Sequence, residues 1–255
     1  MSFFKDVLDI VVDYYPFLLK GVGITMLIAL TGTVAGLLIG LLTGIIRTAP
    51  VSKNPLLKAL HKFINALISV YVEIFRGTPM MVQAMVIYWG YAFATHGQML
   101  PLIPSGILIV SINTGAYMAE IVRGGIISID KGQFEGALSI GMKHSQTMLK
   151  VILPQVIRNI LPSVSNEFVI NIKDTSVLNV IGVAELYFQA NDIMHQNLKT
   201  FQTYLVVCVL YFILTFTVTR LLRYAEKKLD GKDNYTIFGS QTDVDAEIHI
   251  KKEAN

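Results

Sequence analysis

The feature that leaves this chain fewest folding options is a succession of apolar runs, separated by segments rich in lysine and arginine. A helical run of about 20 apolar residues matches the roughly 30 Å hydrocarbon core of a bilayer. Five spans of this kind can be drawn, at about 17–46, 58–94 (in broken form), 102–127, 151–172 and 203–222. Only 15% of the 255 residues are charged and 53% are hydrophobic, against roughly 25% charged in soluble domains. The mean hydropathy is +0.55. The expected fold class is an all-α membrane protein with about five transmembrane helices.

The first span carries Gly32, Gly36, Gly40 and Gly44, each four residues from the next. On a helix they form one small-residue face that admits another helix closely, either within the subunit or across a dimer seam. The second region is amphipathic: Lys58, Lys62, Asn65, Ser69, Glu73 and Arg76 lie near one face, opposite Leu60, Phe63, Ile64, Leu67 and Ile68. Gly77, Thr78 and Pro79 should break that helix, because proline lacks a donor and restricts the residue before it. Such a break is a simple kink or an element of a transport pathway. Residues 175–197 mix polar and apolar types and suggest a short helix on the outer side.

Cation placement sets the orientation. Arg47, Lys53, Lys58 and Lys62 follow the first span. Arg123, Lys131, Lys143 and Lys150 surround the next such connection, and Arg220, Arg223, Lys227, Lys228 and Lys232 follow the fifth span. The alternate connections are poor in cations: 94–101 has none and 174–202 has only Lys199. The cation-rich loops and the C-terminus are therefore expected in the cytoplasm, and the N-terminus outside. Met1 to Lys20 holds Asp6, Asp9 and Asp13 without a basic leading segment, so no cleavable signal peptide is expected. The organisation reads as an extracytoplasmic segment 1–16, a transmembrane domain 17–228 and a flexible cytoplasmic tail 229–255.

Catalytic chemistry is not indicated. The sequence has no G-x-x-x-x-G-K-[ST] loop to cradle a nucleotide. The five histidines are scattered without metal-ligand spacing, and the single cysteine, Cys208, sits in an apolar run as a packing residue. The informative polar groups lie inside the spans. Asn113, Tyr117 and Glu120 share one helical face of the third. Ser163, Glu167 and Asn171 share one face of the fourth, with Asn159 and Asp174 close by. An ionisable side chain costs several kcal/mol against lipid, so Glu120 and Glu167 should face protein or water. They either mark a pathway or form internal pairs, Glu120 with Arg123 and Glu167 with Arg158. The amides and hydroxyls either bind a polar solute or bond helix to helix.

Between the third and fourth spans lies EGALSIGMKHSQTMLKVILP, Glu135 to Pro154. Its apolar residues recur at helical spacing, and Gly141 interrupts it with a turn or a close approach. A short amphipathic helix held between membrane helices suits a groove on a soluble partner. The stretch resembles the EAA loop of ABC-transporter permeases, with Glu135, Ala137, Gly141, Leu153 and Pro154 in place. Gly136 stands where the loop has alanine, and Val151 where it has isoleucine. EIFRGTP (73–79) and NTGAYMAEIVRGGI (113–126) are similar to the polar amino-acid branch of the same family.

The resemblance implies a permease subunit of an ATP-driven importer in a bacterial inner membrane. Residues 131–149, including Glu135, Ala137, Gly141, Lys143 and His144, would form the coupling helix that docks on a separate ATPase. That ATPase would bind ATP and magnesium, with no cofactor in this chain. A second permease subunit, the same or paralogous, an extracytoplasmic amino-acid-binding protein and a polar amino-acid substrate are the further implied partners, with lipid around the spans and no nucleic acid. Five helices give too little wall for a path closed by one chain, which itself favours a pair of subunits. Two alternatives stand apart. One is a secondary transporter using Glu120 and Glu167 as ion sites, which has no reason to keep the EAA stretch. The other is a purely structural membrane subunit, against which the intramembrane acids argue.

Overall fold

The computed structural model describes residues 2–51 and 54–230, in which every regular element is a helix. Lys53 and nearly all of the expected tail at 229–255 lie outside them.

The first helix, α1 (Ser2–Thr48), is longer than its expected span, because residues 2–16 are helical as well. Their reason to fold is burial. Ile10 and Leu18 pack with Leu186, Ala190 and Ile193 of α8 (Leu186–Asn197) and with Val206 and Val207 of α9 (Thr200–Asp230). At 1.5 Å per residue the 47 residues of α1 run about 70 Å, more than twice the hydrocarbon thickness. Asp6 and Lys199 pair at 2.6 Å where α1 passes the start of α9, and the Asp6 carboxylate pushes the Lys199 ammonium's pKa up.

Helix α4 (Leu102–Ile127) is the centre of the bundle, with Ile109, Val110, Ala116, Met118, Ala119 and Val122 fully enclosed. The glycine face of α1 meets it turn for turn. A Cβ on Gly32, Gly36, Gly40 or Gly44 would stand 2.5, 2.8, 2.3 or 2.6 Å from Val110, Thr114, Met118 or Val122 respectively. The ladder therefore serves packing within the subunit. α4 returns the fit at Gly115, where a Cβ would meet the Tyr71 hydroxyl at 2.7 Å and Ile39 at 2.8 Å.

Helix α2 (Pro55–Gly77) starts at Asn54, whose side chain accepts from Leu56 N, and α3 (Met80–Ala94) resumes after the break. Helix α5 (Lys131–Ser139) and α6 (His144–Thr147) follow α4. A π-helical turn, Met148–Ile152, then leads into α7 (Leu153–Asp174), and a 3-10 segment, Thr175–Ile181, joins α7 to α8. α8 is fixed at its start by Glu185. That carboxylate is fully buried and accepts from Tyr187 N (2.9 Å), Phe188 N (2.8 Å) and the Tyr211 hydroxyl (2.9 Å).

Among the described residues three helices are long and apolar enough to cross a bilayer by themselves, within α1, α4 and α9. α3 is apolar but short, and α7 is long but carries Arg158, Asn159, Ser163, Asn166, Glu167, Asn171, Lys173 and Asp174. Of the expected five spans, the second falls on α2 and α3 and the fourth on the polar α7, neither of which is among these three.

Candidate functional site

Two places gather the polar residues: the cleft region where α4 packs against α2 on one side and α7 on another, and the α5–α6 stretch at one end of the bundle.

At the cleft, α2 stops at Gly77, Thr78 and Pro79 run extended, and α3 begins at Met80. The interruption frees backbone carbonyls that hydrocarbon cannot solvate. Side-chain amides take them. Gln83 Nε2 donates to Phe75 O (2.9 Å), Thr78 O (2.9 Å) and Thr78 Oγ1 (2.8 Å). Asn113 Nδ2 donates to Gln83 Oε1 (2.8 Å) and, at longer range, to Phe75 O (3.4 Å). Gln83 has no periodic signal in the sequence, being a single amide within the apolar run of α3. Asn113 is thus bonded into the frame of the break.

Beside the break, the Arg76 guanidinium lies over the Tyr117 ring, 5.5 Å from its centroid. Glu167 is half-buried on α7, and the charges that act on it are Asp174 of its own helix and Arg76. Ser163 lies one turn from Glu167 and is exposed. Arg76 of α2 thus connects Tyr117 of α4, by ring contact, with Glu167 of α7, by charge, and Ser163 lies on the same side of α7 as Glu167. Among the described residues Glu167 forms no ion pair, and Arg158 is exposed.

The remaining intramembrane candidates sit elsewhere. Asn171 is buried and clasps three helices: its Nδ2 donates to Thr33 Oγ1 (2.8 Å) and Thr114 Oγ1 (3.0 Å), and Thr114 Oγ1 donates back to Asn171 Oδ1 (3.1 Å). Glu120 accepts from Arg123 Nε (3.0 Å) and Nη2 (2.8 Å) with one oxygen and pairs with Arg47 of α1 through the other. It ties the ends of α1 and α4 together. Its partner Arg47 lies 73 residues away, which no local pattern reveals.

In the α5–α6 stretch, the Asp130 carboxylate accepts from Gly132 N (2.6 Å) and opens α5. Instead of one helix over 131–149, the chain folds α5, a turn and α6. The cause is Gly141, which takes φ +83, a left-handed conformation that glycine adopts without a Cβ penalty. Gly141 N bonds Leu138 O (2.9 Å) and Met142 N bonds Ala137 O (3.1 Å), closing the helix end with the paired bonds of a Schellman motif. A Cβ at Gly141 would meet no atom of this chain within 4 Å, so its backbone, not crowding, sets the requirement within this chain.

The stretch is anchored from below. Phe134, Met148 and Ile152 pack with Val122, Ile126 and Ile129 at the end of α4 and with Val156 and Ile160 of α7. Ala137 is buried on this side. Glu135, Lys143 and His144 point outward, among Leu138, Ile140 and Leu149, which are 54%, 79% and 66% exposed. An apolar patch bordered by charges thus lies exposed on a platform packed against α4 and α7.

Residues 55–231 match the family model described as the binding-protein-dependent transport system inner membrane component. The chain belongs to that family. The permease is 36% identical over 214 residues to the glutamine transport system permease protein GlnP of Escherichia coli (strain K12), covering 84% of this chain and 93% of that one. It is 35% identical over 219 residues to the L-cystine transport system permease protein TcyB of Bacillus subtilis (strain 168), covering 86% and 88%. A solved amino acid ABC transporter, described with histidines, superposes at a TM-score of 0.72 with 35% identity over 85% of this chain and 96% of that chain. The inward-facing MetNI methionine transporter shares the fold, at a TM-score of 0.63 and 17% identity over 84% and 98%. The permease is thus a multi-pass inner-membrane component of an ABC importer, a transporter subunit and not an ion-gradient carrier or the system's ATPase.

Proposed function

We propose that this permease moves a polar amino acid inward by alternating access, driven by a separate ATPase that binds ATP and magnesium. The observation that carries the substrate class is the Arg76, Tyr117 and Glu167 cleft beside the helix break. It sets a cation and a carboxylate near enough to act on each other without pairing, the complement of an amino acid's carboxylate and ammonium. Ser163 adds a hydroxyl on the same face, while Asn113 and Asn171 hold the walls in place. Relatives named for glutamine and cystine support the same class.

In this reading residues 17–228 form the transport domain and Glu135, Lys143 and His144, with the apolar patch around them, meet the ATPase. Gly141 makes the turn that presents the patch, and Ala137 secures it. The path is closed by a second permease subunit, same or paralogous, and substrate arrives from an extracytoplasmic binding protein. The N-terminus lies outside and the C-terminus in the cytoplasm. Uptake competition among glutamine, cystine, arginine, lysine and histidine, in proteoliposomes containing permease, ATPase and binding protein, tests the class. One or more of these polar amino acids should displace the transported one, and competition by none of them overturns the assignment.

The orientation has its own check. In a Cys208→Ala background, His144→Cys should react with an impermeant thiol reagent only from the cytoplasmic side. Labelling from the outside reverses the topology.

A further inference from the structure

Helix α4 supplies a depth scale, because it is long and apolar enough to cross a bilayer. Thr114, at the midpoint of its 26 residues, is bonded to Asn171 of α7. Just before it, Ile112 O accepts from the Tyr71 hydroxyl of α2 (2.6 Å), and Asn113 Nδ2 donates to Phe75 O (3.4 Å). Residues 112–114 span about 3 Å along the helix axis, so these contacts mark one level near the middle of the hydrocarbon.

Two charges of opposite sign lie at that level. Glu73 stands between Tyr71 and Phe75 on α2, and Lys173 is two residues past Asn171 on α7. Both are exposed, and among the described residues neither forms an ion pair. Their neighbours in sequence do not compensate them. Arg76, one turn beyond Glu73, lies over the Tyr117 ring, and Asp174 acts on Lys173 from the adjacent position without pairing. Lys173 lines a groove of about 320 Å³ between α7 and α9, with Phe212, Thr215 and Phe216.

An ionised side chain turned toward lipid at this depth costs several kcal/mol, so each charge must meet protein or water. A two-fold axis along the membrane normal exchanges two copies and leaves depth unchanged. It can bring Glu73 of one copy to Lys173 of the other and, by the same operation, form the reciprocal contact. The chain carries both members of the pair, so an identical copy supplies what each charge lacks.

We propose that α2 at Glu73 and the α7–α9 groove at Lys173 form the contact with a second copy of this chain, through two symmetric Glu73–Lys173 ion pairs. This rests on the reading that a second permease subunit closes the path, and it makes that subunit the same chain rather than a paralogue.

The test uses the full-length permease co-expressed with its ATPase. Glu73→Lys sets lysine against lysine at both contacts, and Lys173→Glu sets glutamate against glutamate. Each should lower the yield of complex at least about tenfold, since like charges facing each other across an interface cost several kcal/mol. The two changes combined in one chain restore opposite charges at both contacts and should return the yield to within about twofold of the original. Because the two positions do not touch within one chain, such recovery reports a contact between copies. A second measurement is independent of charge. In a Cys208→Ala background, Glu73→Cys with Lys173→Cys should be joined into a permease dimer by a short bifunctional thiol reagent, whereas Val34→Cys with Lys173→Cys, which swaps in an exposed position on α1, should not. Full yield of both single variants is the result expected of charges that line a water-filled path. That result, failure of the combined variant to recover, or no joined dimer each overturns the assigned surface and leaves the second-subunit reading standing. A mass for the unaltered complex that holds one permease copy overturns both.

Discussion

The α1–α4 seam and the cleft between α2, α4 and α7 share one helix, yet they are built from opposite materials. Along the seam, α4 is met by four glycines at intervals of four residues, and even a single added carbon would collide with Val110, Thr114, Met118 or Val122. Along the cleft, the same α4 presents Tyr117 to an arginine, and α7 offers a half-buried glutamate with no ion-pair partner among the described residues. Helices in lipid gain little from burying apolar surface against each other, so close backbone approach is what fixes a seam. A charged cleft cannot be fixed that way, and it is held from outside by amide clasps at Gln83–Asn113 and Asn171–Thr114. A close-packed spine beside a polar face is a division of labour that suits the proposed alternating access.

The contrast breaks most severely at Gly40. Gly40→Leu places its Cβ 2.3 Å from Met118 Cβ and 2.7 Å from the Met118 carbonyl carbon, so the two backbones must separate. A destabilisation of at least about 3 kcal/mol is expected, read as loss of monodisperse protein and a lowered thermal transition. Gly23→Leu, on the same helix with nothing within 4 Å, should leave both nearly unchanged.

Next comes the platform on which the motion enters. Gly141→Leu forces a branched side chain into φ +83 and projects it from the docking face. Uptake should be abolished while membrane insertion and basal ATPase turnover persist, and wild-type uptake in this variant would remove the docking assignment. A smaller effect is expected at the clasp. Gln83→Leu strands the Phe75 and Thr78 carbonyls and the Asn113 amide, at a cost of about 1–3 kcal/mol for buried groups left unbonded. Thermal unfolding of the purified chain measures it.

How much of this was readable beforehand depends on the range of the interaction. The glycine ladder was visible because i, i+4 spacing is a local property, but its partner was not, since nothing local separates packing within a subunit from a dimer seam. Gly77 to Pro79 announced a break through backbone chemistry alone. Gln83 did not announce itself, because one amide in an apolar run has no period. Asn113, Tyr117 and Glu120 share one helical face by spacing, yet its members go three ways: to the α2–α3 break, to Arg76, and to Arg47 with Arg123. A wheel gives direction around one helix and says nothing about which neighbour stands there.

In the proposed function the cleft is the path and Glu167 its charged element. Uptake by the reconstituted complex of Glu167→Gln, measured beside complex yield and thermal stability, tests it most directly. The substitution keeps size and removes charge. Uptake should fall at least about tenfold, equivalent to roughly 1.4 kcal/mol at the rate-setting step, with yield and stability unchanged because Glu167 has no ion-pair partner to strand among the described residues. Full uptake by an intact complex would contradict the account.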